Sequence, residues 1–332
     1  MTLSNPSQPE DSVLEPVRVK LIFNPMAGQL EEASARLVEI LSHLQAWQMR
    51  PEVYIVQPES HLQPVVADAI QQGIDLIVVC GGDGTIESMI GALMGTSATL
   101  GIIPIGTRNN IAHSLGIPTE SIAEAVALLR QGRRVKIDVG HARCGRAERW
   151  FLEAATVGLV SALYPSADEI QHGNLTRIGD FLATLVSYPA SEISLSLDDG
   201  RQTLTATAHV VLVANMPYFG AHFHVAPDVS YEDGRLDVLV YSHVGKLELI
   251  EYAVQEMAGA FPDDPRIQRY QIKSVDVHTI PEMPVMADGV MLGNGPLSVT
   301  LRRHSLAVMA GVKAGVNSTS PAKSDPRTVP DK

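Results

Sequence analysis

Gly81-Gly82-Asp83-Gly84-Thr85 is the segment of this 332-residue chain most suited to chemistry. Its three glycines let a backbone turn sharply and approach a ligand closely. The run Leu76–Cys80 before it is continuously apolar, as in a strand covered on both faces, and a helical pattern follows from Ile86. A glycine corner between strand and helix presents N–H groups and a positive dipole end, so its expected ligand is a phosphate. Asp83 adds a carboxylate suited to magnesium or to a phosphate-bound water. Without a ligand the same residues form a tight turn with an aspartate cap. Glu87, just inside the helix, is a further carboxylate, or simply a favourable charge on the helix dipole.

Two more corners resemble this one in type. Gly106-Thr107-Arg108-Asn109-Asn110 follows the buried run Leu100–Ile105, and Asn24-Pro25-Met26-Ala27-Gly28 follows Val17–Phe23. Taken singly, they are an asparagine-capped helix start and a β-turn. Three polar turns at the carboxyl ends of neighbouring strands make one rim of a sheet, where open α/β sheets bind ligands.

The elements that must position these turns alternate. Strands are expected at Val17–Phe23, Val53–Val56, Leu76–Cys80 and Leu100–Ile105. Helices are expected at Leu30–Trp47, Pro64–Gln72, Ile86–Met94, around Ile111–Leu115 and at Ser121–Gln131. That order predicts an α/β fold with a parallel sheet carrying helices on both faces. Near residue 135 the pattern turns β-rich, with strands at Val135–His141, Trp150–Val157, Ile193–Leu197, Leu204–Asn215, Leu236–Tyr241, Ile272–Thr279, Val285–Ala287 and Leu297–Leu301. Asp198-Asp199-Gly200 reads as a hairpin turn, and Leu175–Ser187 and Lys246–Ala258 as helices. The expected organisation is a disordered 1–16, a nucleotide-binding domain 17–140, a β-rich domain 141–312 and a disordered tail 313–332, with the boundary inside 132–150.

Composition narrows the class. With 25 Lys+Arg against 37 Asp+Glu the net charge is −12, which argues against nucleic acid as the main partner. Two cysteines, Cys80 and Cys144, make no disulfide framework and suit a reducing, cytoplasmic setting. The N-terminus lacks the basic and apolar regions of a signal peptide. The uncharged stretch Ser88–Thr107 is broken by glycines and Pro104, so it is read as buried helix, turn and strand rather than a membrane span. His222 and His224 would share a strand face but have no evident third ligand. Arg130, Arg133, Arg134 and Lys136 could meet anionic headgroups, and also suit a solvated helix end.

These motifs resemble those of diacylglycerol kinases and sphingosine kinases in their bacterial form. The likeness rests on Asn24, Pro25 and Gly28 (Asn-Pro-x-x-Gly), on Gly81 to Thr85 (Gly-Gly-Asp-Gly-Thr), and on Gly106, Thr107 and Asn109 (Gly-Thr-x-Asn). In the second half Asn215, Gly220, Pro227, Asp233, Gly234, Leu236 and Asp237 continue it. The resemblance implies an ATP-dependent kinase acting on a lipid hydroxyl. Asn24, Gly28, the 81–85 loop and Thr107 would bind ATP, and Ser230, Asp233 and Arg235 would form a structural magnesium site. It implies a lipid substrate and transient contact with a membrane surface; a homodimer is compatible with it.

Two positions depart from the family pattern. Asn110 stands where the family has Asp, and Val290, in Asp288-Gly289-Val290, stands where it has the Glu that serves as general base. Valine cannot take a proton, so Asp288 or Asp83 is expected to substitute. The same departures motivate a second expectation, a nucleotide- or lipid-binding regulator with little turnover. An NAD kinase shares the glycine loop but ranks lower, since no Asn-Glu dipeptide is present to hold a ribose.

Overall fold

The computed structural model describes residues 15–28, 32–171, 173–220, 223–226 and 228–311. Apart from residues 15 and 16, the expected tails lie outside the described residues, as do Leu30, His222 and Pro227.

Strands β1 (Val17–Phe23), β2 (Met49–Ile55), β3 (Leu76–Gly81) and β4 (Thr99–Pro104) pair in parallel in the order β2-β1-β3-β4. β3 and β4 are buried at every position, as unbroken apolar strands under two helix layers must be. The helices are α1 (Ala33–Ala46), α2 (Leu62–Gln71), α3 (Asp83–Glu87), α4 (Ile90–Leu93), α5 (Asn110–Ser114) and α6 (Ile122–Gln131). α1 packs with α6 and α2 with α4, burying Ile40, Leu44, Val66 and Val126 in a first core. Ser121 starts α6 by accepting the Glu124 N–H at 3.2 Å, which satisfies one otherwise orphaned donor. The single helix expected at Ile86–Met94 is instead two short ones, α3 and α4. The glycine corner is itself the first turn of α3, so little helix dipole backs it.

The second half contains β5 (Arg133–Cys144), β6 (Ala147–Phe151), β7 (Ala154–Gly158), α7 (Leu159–Gln171), α8 (Ile178–Ser187), β8 (Ser191–Leu197) and β9 (Gln202–Ala214). A small hairpin, β10 (Tyr218–Phe219) and β11 (Phe223–His224), precedes β12 (Leu236–Ser242) and α9 (Lys246–Met257). β13 (Ile267–Ile272), β14 (Ser274–Ile280), β15 (Pro284–Ala287), β16 (Val290–Asn294) and β17 (Leu297–Ala310) follow among the described residues. These strands form an antiparallel path β16-β15-β7-β9-β8-β14-β17, so the fold is a parallel α/β sheet joined to a β-rich half. Asp198, Asp199 and Gly200 take positive φ of 48°, 58° and 85° in the hairpin between β8 and β9, as expected of that triplet.

The two halves share strands. β17 runs antiparallel to β14 and β5, then pairs in parallel with β4 through Ala307–Thr99 and Val308–Leu100. Leu297 and Val299 sit in the second core, Leu306 and Val308 in the first. β5 likewise buries Ile137 in the first core and Ala142 in the second. The expected strand Leu297–Leu301 is therefore only the start of β17; the charged Arg302-Arg303-His304 conceals a bulge, not an end.

Two differences matter for the site. Trp150–Val157 is not one strand: Leu152 and Glu153 break it into β6 and β7. α7, with Pro165 inside it, was not expected at all. Among the described residues no helix is long and apolar enough to cross a membrane; the stretch Ser88–Thr107 divides between α4, a turn and β4.

Candidate active site

The three corners meet on one rim. Asn24 Nδ2 donates to Thr85 Oγ1 at 2.9 Å, tying the first turn to the glycine loop. The second and third corners approach closely through glycine: a Cβ on Gly106 would lie 2.5 Å from the Gly82 Cα. Asn109, at φ 53°, clips its own loop by accepting from Gly106 N at 3.1 Å and donating to Gly106 O at 2.8 Å. Asp83 reaches across the rim, and its two oxygens accept the N–H groups of Asn110 and Ile111, each at 3.0 Å. It thereby caps α5, whose first donors have no partner within the helix. Asp83→Ala should cost about 2 kcal/mol or more, since hydrogen bonds to a charged acceptor are worth ~1.5–3 kcal/mol. Thermal unfolding would show it as a lowered Tm, and an unchanged Tm would refute this capping role.

These corners open on a cleft of about 760 Å³ between the two halves. Its far wall is acidic. The break between β6 and β7 is held by Asp288, which accepts the N–H groups of Leu152 (2.6 Å), Glu153 (3.0 Å) and Ala154 (3.0 Å). Asn215 braces the same break by donating to Leu152 O at 2.9 Å. The break turns Glu153 toward the cleft. Asn110 Nδ2 donates to Glu153 Oε2 at 3.2 Å and to Gly220 O at 2.7 Å, while Asn110 Oδ1 is buried without a partner. The carboxylate expected at position 110 thus stands across a hydrogen bond, at 153. Glu87 is buried against Arg149 at 2.9 Å, and Val290 lines the cleft without supplying an acid.

Crowding raises the acids. Burial pushes the Glu153 carboxyl well above the carboxylate range, helped by the charges of Asp83, Asp288 and Glu87. Glu87 is raised by burial and by Asp288, against the pull of Arg149. Burial lifts Asp288 to about 6, although its N–H donors pull it down. Because this folded pKa lies above the ordinary 3.8, the native state binds the extra proton between those values. The contribution of Asp288 to stability is then present at low pH and lost as pH rises through about 6. Asp288→Asn should flatten that part of a Tm-against-pH curve; an unaltered slope would refute it.

Of the anticipated nucleotide residues, Asn24, Gly28, Gly82, Asp83, Gly84, Thr85, Glu87, Gly106, Thr107 and Asn110 line the cleft, with Asp288. Pro25, Gly81 and Asn109 belong to the same turns but are not among the residues lining the cleft. Ser230, Asp233 and Arg235 are not part of this cleft. Asp233 Oδ1 accepts Arg235 N–H at 2.9 Å, and the turn is pinned by Asp138, which accepts Gly234 N–H and His304 N–H at 2.7 Å each. Glu153, Arg149, Tyr164 and Asp168 also line the cleft and were not anticipated. The signal for Glu153 was a lone acid inside the apolar run Phe151–Val157; Tyr164 and Asp168 came with the unforeseen α7.

Tyr164 and Asp168 receive Arg108. Its Nη1 donates to Tyr164 Oη at 2.8 Å and its Nη2 to Asp168 Oδ1. Behind this clasp lies a second, apolar pocket of about 340 Å³ among α7, α8, α9 and the faces of β9 and β12. Arg108, Tyr164, Asp168, Phe219 and Gly220 belong to the walls of both.

Residues 18–142 match the family model of the diacylglycerol kinase catalytic domain, and residues 161–310 match the YegS C-terminal NAD kinase beta sandwich-like domain. The chain is 27% identical over 303 residues to a diacylglycerol kinase of Bacillus subtilis (strain 168), covering 90% of this chain and 98% of that one. It is 28% identical over 278 residues to a diacylglycerol kinase of Mycobacterium tuberculosis (strain ATCC 25618 / H37Rv), covering 82% and 88%. A crystal structure of a diacylglycerol kinase from Bacillus anthracis str. Sterne superimposes with a TM-score of 0.69 at 25% identity, over 89% of this chain and 97% of that one. The two models between them match most of both halves, and the chain belongs to the diacylglycerol kinase/sphingosine kinase-like family.

Proposed function

We propose that the protein transfers the γ-phosphoryl group of ATP to a hydroxyl of diacylglycerol or a related lipid. The observation that carries this reading is the shared wall: a polar cleft edged by glycine corners adjoins an apolar pocket across Arg108 and Tyr164. One compartment suits a triphosphate and the other a hydrocarbon chain, with the boundary where a hydroxyl would meet a phosphoryl group. The 81–85 and 106–107 backbones, with Asn24 and Gly28, are the surface for the phosphates. Phosphoryl transfer depends mainly on positioning and charge neutralisation, which such corners supply.

Glu153 is the group to accept the hydroxyl proton. One of its oxygens is held by Asn110, while Asp288 spends both of its oxygens on backbone N–H groups and so positions Glu153. Magnesium fits here through the nucleotide more than through the protein: among the described residues no three His, Cys, Asp or Glu side chains gather to hold a metal ion. Magnesium commonly keeps waters and substrate phosphates as ligands, and when bound it would neutralise phosphate charge. The 230–235 turn, in which Asp233 Oδ1 accepts the Arg235 N–H, remains a proposed structural magnesium site.

The lipid would arrive from a membrane surface at which a cytoplasmic protein docks transiently. Ile250, Val254 and Met257 support this, since they line the apolar pocket and are also exposed, by 41%, 62% and 54%. Incubation with labelled ATP, magnesium and mixed lipids, read by mass spectrometry, should give a phosphorylated lipid. ATP bound without any phosphorylated product would replace this reading with that of a regulator.

A further inference from the structure

We infer that the apolar pocket takes an alkyl chain bearing an oxygen, as a hydroxyl or an ester carbonyl, and that the Glu256 carboxyl backed by Tyr241 receives that oxygen. The inference rests on reading this pocket as the lipid site and specifies which lipids it prefers.

Glu256 lies in the last turn of α9, is only 2% exposed and belongs to the pocket wall. Tyr241 Oη donates to Glu256 Oε1 at 3.4 Å. Among the described residues Oε2 is buried with no partner. The lining is otherwise mainly hydrocarbon, including Leu163, Phe181, Leu212 and Leu249, with Arg108, Tyr164, Asp168, Lys246 and Tyr252 also in the wall. A buried polar atom left without a hydrogen bond is costly, and a leucine on this helix face would avoid the cost. The pocket that Glu256 lines has about 340 Å³, room for about a dozen water-sized groups at ~30 Å³ each, enough for a single chain.

The chemistry at Oε2 sets the ligand class. Burial lifts the carboxyl to about 8, so at neutral pH it is mainly uncharged and carries a proton. A neutral carboxyl donates to a carbonyl oxygen, and it both donates to and accepts from a hydroxyl. A plain hydrocarbon leaves it unmet.

The test is equilibrium binding to the full chain without ATP or magnesium, using three probes with twelve-carbon chains: methyl laurate, dodecan-1-ol and 1-chlorododecane. The wild type should bind at least one oxygenated probe about tenfold more tightly than the chloride, the effect of one buried hydrogen bond. Preference for the ester or for the alcohol identifies which oxygen is read. Glu256→Leu should erase the preference while keeping chloride binding; if it does not fold, Glu256→Met carries the same expectation. Equal binding of all three probes by the wild type, or a preference that survives the substitution, overturns the inference. Binding of none of them removes the lipid-pocket reading as well. An inactive kinase would leave the whole comparison untouched, so the two failures are separable.

Discussion

Glu153→Gln is expected to lower kcat on a lipid acceptor by about 100-fold or more, the low end of the range for losing a general base, ~10²–10⁴. The KM for ATP should stay within about twofold, because the Glu153 side chain comes from the break between β6 and β7 rather than from the glycine loop, and its hydrogen bond is to the Asn110 amide. Glutamine keeps the volume and can still accept from Asn110 Nδ2, so the loss would be chemical rather than structural. The acidic limb of the kcat profile should also disappear, since it would report the titration of this carboxyl. The low end of the range applies because phosphoryl transfer draws most of its acceleration from positioning. Full turnover by the Gln variant would move the proton acceptor elsewhere and leave Asn110 and Val290 without compensation.

Gly106→Ala should weaken ATP binding by about tenfold or more and lower Tm by several degrees, consistent with an overpacking cost of ~1–3 kcal/mol. The added methyl would sit 2.5 Å from the Gly82 Cα and 3.0 Å from Asn109 Oδ1. The first neighbour is backbone and cannot rotate away, so the two corners must part. Gly179→Ala in α8, outside the cleft lining, is the control: a Cβ there meets nothing within 4 Å, and its φ is not in the left-handed region. Calorimetry with ATP separates the two variants. Equal affinity for both would mean that contact between the corners does not shape the phosphate surface.

The sequence made the parallel half legible because its signals are local. β3 and β4 announce themselves as apolar runs closed by glycine, and Ser121 with Glu124 marks the start of α6 within four letters. Most of the rim was legible for the same reason, since a turn of Gly, Asn and Asp needs no distant partner to be recognised. What stayed hidden depends on long-range contacts. Glu153 faces the cleft only because Asp288, far along the chain, gathers three N–H groups and breaks a strand that alternation would continue. α7 carries Pro165, which periodicity alone reads as an interruption. Arg302-Arg303-His304 reads as an exposed strand end, whereas a shift in pairing register lets β17 continue past it. Asn110 looked like the loss of an acid until its partner came into view.

The seam between Val308 and Leu100 also bears on biosynthesis. β4 leaves the ribosome about two hundred residues before the strand that covers its edge, so the nucleotide half must wait with that edge open. A nascent chain halted after β5 should therefore recruit chaperones or self-associate, and a peptide spanning residues 297–310, supplied separately, should dock beside β4 and restore solubility. A strand translated late acts as the latch on the first layer made.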